Sequence, residues 1–96
     1  MHLVEVIRLR LAAANRDEII VRINELADRL ELADVQIYRH ATVDTDLSIH
    51  LDHRDAELDA AVDGPSLASL LKEFGLVSYS KWVEAPSFET SLRKRG

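Results

Sequence analysis

Hydrophobic and polar positions alternate from residue 3 to residue 11, with Leu3, Ile7, Leu9 and Leu11 on one parity and Val4, Val6, Arg8 and Arg10 on the other. A period of two sends successive side chains to opposite faces, so this segment predicts a strand with two different faces. Glu5 interrupts the more apolar face. The period then changes. Ile19, Ile20, Ile23, Leu26, Ala27 and Leu30 recur at the spacing of one helix face, and Asn15 followed by Glu18 has the pattern of a capping box. A helix is predicted from there to about Glu31.

From Asp34 to His53 the period returns to two, with a polar break at Asp44, Thr45 and Asp46 that predicts a hairpin. Val35, Ile37, Ala41 and Val43 form one apolar side and Leu47, Ile49 and Leu51 the other. Cross-strand partners must share a face. A loop of residues 44 to 46 satisfies that rule and pairs Val43 with Leu47, Thr42 with Ser48, His40 with His50 and Tyr38 with Asp52. Residues 54 to 65 are acidic and read as a loop with room for a turn of helix near Glu57. Gly64 and Pro65 then open a second helix whose stripe is Leu67, Leu70, Leu71 and Phe74, with Gly75 expected as its left-handed cap. Leu76 to Glu84 alternates as a last strand. Residues 1–85 therefore read as one domain and 86–96 as a polar, partly basic tail.

The order β-α-β-β-α-β predicts an α+β, ferredoxin-like fold: a four-stranded antiparallel sheet with both helices on one face and strands one and three central. Parity puts Glu5, Arg39, His53 and Lys81 on the helix side, where they are expected near strand ends or edges so that their polar tips reach water. One helix layer leaves the opposite face bare. That face holds Val4, Val6, Arg8, Arg10, Gln36, Tyr38, His40, Thr42, Ser48, His50, Asp52, Leu76, Ser78, Ser80 and Trp82. An apolar surround with a few convergent polar groups is what a small-molecule pocket requires, and a second subunit packing sheet to sheet would close it.

The element order, the length and this half-polar face resemble the dimeric α+β barrel superfamily, which includes the antibiotic biosynthesis monooxygenase-like proteins. The resemblance covers about residues 2 to 84, and the run from Asp63 to Gly75, Asp-Gly-Pro-Ser-Leu-Ala-Ser-Leu-Leu-Lys-Glu-Phe-Gly, is similar to the second helix of such domains. It implies a homodimer with a cavity between paired sheets, in which some members oxidise quinol-like or haem substrates. The Trp and His that haem-degrading members carry around that helix have no counterpart here, because Trp82 lies on the last strand and no His follows His53.

Charge narrows the partners. Twelve Lys and Arg against 17 Asp and Glu give a net charge of -5, which disfavours nucleic acid and anionic lipid. RNA-recognition aromatics on the central strands are missing, and the loop Ala12 to Asn15 lacks the glycine expected of an amino-acid-sensing module. No signal-peptide pattern opens the sequence, so a cytoplasmic protein without membrane association is expected. Absent cysteine excludes disulfides, thiolate metal sites and thiol nucleophiles.

The candidate chemistry lies on the bare face. His40 or His50 would act as a general base and Arg8 would steady the resulting anion, while Arg10, Tyr38, Asp52, Ser80 and Trp82 would line the ligand site. In the expected register His40, His50 and Asp52 also have the donor types of a facial metal site, although a hydrogen-bonded polar face accounts for the same residues. No metal or cofactor is assigned. The expected function is binding or conversion of a small aromatic or enolic molecule, with cofactor-independent oxidation or isomerisation as the class of any reaction. The alternative is a non-catalytic assembly module.

Overall fold

The computed structural model describes residues 2–12, 15–54 and 63–85. Its elements are β1 (Leu3–Leu11), α1 (Arg16–Arg29), β2 (Val35–Arg39), β3 (Asp46–His53), α2 (Gly64–Leu71), a 3-10 turn (Lys72–Phe74) and β4 (Gly75–Val83). The strands form one antiparallel sheet in the order β2-β3-β1-β4, so β1 and β3 are central as the pattern predicts. This α+β arrangement is compatible with a ferredoxin-like fold. The helical turn expected near Glu57 and the tail of residues 86 to 96 lie outside the described residues.

Parity builds the core. Every buried position of the sheet is odd-numbered: Leu3, Glu5, Ile7, Leu9 and Leu11 on β1, and Leu47, Ile49 and Leu51 on β3. Ile23 of α1 and Leu67, Ala68 and Leu71 of α2 join Ile7, Leu9, Leu11, Leu47, Ile49 and Leu51 in one hydrophobic cluster. Burying a Leu or Ile side chain contributes about 1.5–3 kcal/mol, so these contacts fix which sheet face the helices cover. The N-cap half of the capping box forms: Asn15 Oδ1 accepts from the Glu18 backbone N–H at 3.4 Å, while the Glu18 carboxylate accepts from the Asn15 side-chain Nδ2 at 2.8 Å. After α1 the chain turns through left-handed Glu31 (φ 56°) and Asp34 (φ 53°) into β2.

Three expectations are corrected. Gly75 is not a left-handed cap. Its backbone is extended (φ 161°, ψ -156°) and begins β4 opposite Leu11, where an added Cβ would lie 1.9 Å from the Arg10 carbonyl oxygen. Close backbone approach, not handedness, requires glycine there. Glu5 is not near an edge but fully buried on central β1, whereas Arg39 ends edge strand β2 and Lys81 lies exposed on edge strand β4.

The hairpin register also differs. β2 ends at Arg39, and Val35 pairs with Leu51, Gln36 with His50, Ile37 with Ile49 and Tyr38 with Ser48. A slip by an even number of residues keeps every apolar side chain on its face, so the hydrophobic pattern cannot choose between the two registers. The loop chooses. His40 Nδ1 accepts from the backbone N–H groups of Thr42 and Val43 at 3.1 and 3.0 Å, and Asp46 N–H donates to Val43 O at 3.2 Å. These bonds curl the chain before Ala41 can extend the strand, and Ala41 and Val43 are exposed in the connection.

Candidate functional site

The register arranges the helix-free face in rows. At one end the row runs Asp46, Arg10, Leu76, with His40 beyond Asp46, to whose carbonyl the His40 backbone N–H donates at 3.0 Å. The next row is Tyr38, Ser48, Arg8, Ser78, followed by Gln36, His50, Val6, Ser80, and then by Asp52, Val4, Trp82. An open depression of about 470 Å³ covers the first two rows, with Arg8, Arg10, Tyr38, His40, Ser48 and Leu76 among its lining residues. Arg8, Arg10, Tyr38 and His40 all line it, whereas His50, one row on, does not. Neither do Asp52, Ser80 and Trp82, because they stand at the other end of the face.

The corrected register separates the histidines. His50 faces Gln36 on one side and Val6 on the other, while Asp52 sits beside Val4 and pairs with His2. The facial arrangement of His40, His50 and Asp52 does not form, and among the described residues no group of three or more His, Cys, Asp or Glu is placed to hold a metal ion. His40 is turned into its own loop. With Nδ1 accepting two backbone N–H bonds, a neutral His40 carries its proton on Nε2 and offers a donor rather than a base. His50 is better placed to exchange a proton. Its Nε2 lies 3.0 Å from Ser48 Oγ, and its ring rests against Tyr38 at a centroid separation of 4.7 Å and a tilt of 58°.

Charge is unevenly used in the depression. Arg10 Nε donates to Asp46 Oδ1 at 3.2 Å, and this bond, aided by the charge of Arg10, holds the Asp46 carboxyl below its ordinary range. Arg8 stands in mid-strand on the exposed side, and among the described residues it has no carboxylate within 4.0 Å. Arg8 and Arg10 thus meet one aspartate, Asp46, on the bare face of the depression, whereas Arg39, which borders it, sits opposite buried Leu47 on the helix-side parity. At the far end Trp82 Nε1 donates to Ser80 Oγ at 2.8 Å, which occupies both predicted ligand groups with each other.

Sequence reasoning placed Ser48 and Ser78 on this face without giving them a role. Parity finds the face, but only register shows that both serines flank Arg8. A second polar cluster was missed altogether. On the helix side, buried Glu5 accepts from Tyr79 OH at 2.7 Å, its other oxygen lies 2.7 Å from His53 Nε2, and Gly64 of α2 closes over it. Burial, and then the hydrogen bond to Glu5 and its charge, push the Tyr79 hydroxyl far above its ordinary pKa, which keeps it a donor. The depression on the bare face does not include Glu5, Tyr79 or His53, and Glu5 itself has no exposed surface.

Among the described residues no helix is long and apolar enough to cross a membrane. No family model matches the chain, and no curated protein or solved structure matches it either.

Proposed function

We propose that the chain is a dimeric α+β barrel protein whose two copies pair through their helix-free sheet faces and bind a small aromatic or enolic molecule between them. The observation that carries this reading is Arg8, an exposed guanidinium in the middle of the bare face that has no acidic partner among the described residues and opens onto a depression of about 470 Å³. Its surroundings suit a ligand with a flat apolar body. Leu76 is 74 % exposed and Tyr38 52 %, and half-buried Val6 lies one row away. Leu76, Trp82 and Tyr38 would be covered by a second copy, as exposed apolar patches commonly are.

In this reading any reaction begins with proton removal. Ser48 donates to His50 Nε2, takes the phenolic or enolic proton of the ligand and passes its own to the imidazole. Arg8 then faces the new oxyanion across a site from which the second copy excludes water. Returning the proton from the imidazolium through Ser48 to a carbon that shares the anion's charge completes an isomerisation. Oxidation requires dioxygen as the electron acceptor for the substrate anion. The protein supplies a base, a counter-charge and a dry cavity, and no cofactor enters.

Native mass spectrometry of the full chain, purified without additives, tests the reading. A dimer that retains a small-molecule adduct, lost in Arg8→Leu, is expected. A monomer at micromolar concentration overturns the paired sheets. The second reading is an assembly module, favoured by the 62 % exposure of Trp82 at the end of the face away from the depression. It predicts that Trp82→Ser dissociates the dimer while Arg8→Leu changes nothing.

A further inference from the structure

The class of ligand is written in the row at the centre of the face, and this step rests on the binding reading above. Ser48, Arg8 and Ser78 stand side by side in register on β3, β1 and β4. Neighbouring strands lie about 4.8 Å apart, so the two hydroxyl-bearing residues bracket the arginine at that distance on either side. Ser48 is also anchored, since its Oγ lies 3.0 Å from His50 Nε2. Arg10, the next cation along β1, is held by Asp46 at 3.2 Å. Among the described residues of the bare face, Arg8 is therefore the lining guanidinium left to meet a ligand, with neutral hydroxyls on both sides.

From this juxtaposition we propose that the ligand is a monoanionic carboxylic acid with an aromatic or enolic body, its carboxylate on Arg8 and the Ser78 hydroxyl donating to the same oxygens, joined by the Ser48 hydroxyl when His50 carries its proton on Nε2 and donates to Ser48 Oγ. The planar fork of arginine matches a carboxylate in both geometry and charge. A phosphate dianion calls for a second free cation, and Arg10 is already neutralised. A neutral ligand fails for a different reason. Closing the face with a second copy would take Arg8 out of water, and a buried charge without a counter-ion is strongly disfavoured. The acid supplies that counter-ion, so its binding strengthens the dimer by mass action.

Heteronuclear NMR of the full chain, titrated separately with benzoate, benzamide and inorganic phosphate, tests this class. Benzoate is expected to shift the Arg8 side-chain N–H and the Ser48 and Ser78 amides, and to bind about tenfold or more tightly than benzamide. Arg8→Gln should abolish that preference, Arg8→Lys should keep it in weakened form, and Ser48→Ala or Ser78→Ala should each weaken benzoate by about threefold to tenfold. Light scattering should show benzoate, and not benzamide, raising the dimer fraction. Equal binding of benzamide at the same residues overturns the acid while leaving the binding face intact. Phosphate matching benzoate overturns the carboxylate. If no probe shifts any residue of the row, the acid and the binding face both fall.

Discussion

Glu5 and Arg8 are three residues apart on one strand, and the structure treats their charges in opposite ways. Glu5 points into the helix layer, where it is fully buried, and both its oxygens have partners in Tyr79 and His53. Arg8 points out of the sheet, is exposed, and meets two serines but no acid among the described residues. A buried carboxyl group is tolerated when its oxygens find partners, and both Glu5 oxygens have theirs within the protein. An exposed guanidinium carries no such requirement because water solvates it. The lesson is that completeness of hydrogen bonding separates a polar group that holds a fold from one that is available for recognition.

The comparison breaks most visibly if the closed cluster is opened. Glu5→Ala removes the acceptor of two donors and leaves a cavity under α2, so a loss of about 3–5 kcal/mol is expected in chemical denaturation. Gly64→Ala should cost about 1–3 kcal/mol, because its Cβ would lie 1.7 Å from a Glu5 carboxyl oxygen held by Tyr79 and 2.8 Å from the Tyr79 ring. The double variant sharpens the point. The new methyl group then occupies space vacated by the carboxylate, and the double loss should fall short of the sum of the singles by about 1–2 kcal/mol. A fully additive pair would mean that Gly64 does not pack on Glu5.

On the open face the same kind of change should scarcely register. Arg8→Leu is expected to alter stability of the monomeric unit by less than about 0.5 kcal/mol, as surface substitutions generally do, while removing retention of the ligand. A loss comparable to that of Glu5→Ala would place Arg8 in the structural network instead.

The smallest effect belongs to Asp46. Its folded-state pKa lies below the unfolded value because Arg10 hydrogen-bonds to it, so the pair contributes stability above the unfolded carboxylate pKa and loses it as pH falls through the folded one. Asp46→Asn should therefore lower stability slightly at neutral pH and converge with the parent in strong acid. Thermal unfolding followed from neutral to acid pH gives that difference. The reverse trend, with the two chains diverging as acid is added, would remove Arg10 as the cause.

Legibility in the sequence followed the strength of the periodic signal. The period-two and helical stretches located four strands and two helices, and parity sorted the sheet residues into a covered and a bare face, because alternation is a property of the backbone itself. Arg8, Arg10 and Tyr38 line one depression on the face that parity assigned them, while His40 borders it from the loop after β2. The hairpin register did not follow, since slips by an even number of residues leave the pattern unchanged, and His40 set it by binding its own loop.

By itself the sequence determined which residues alternate, which helix faces are apolar and which sheet face stays bare, all of them consequences of local geometry and hydrophobic burial. Only tertiary structure decided who stands beside whom. It separated His40 from His50, set Ser48 and Ser78 on either side of Arg8, and buried Glu5 beneath Gly64 with Tyr79 and His53 as its donors. Those relations depend on strand register and helix docking, which bring together residues distant in the chain through hydrogen bonds and close packing that no local period encodes.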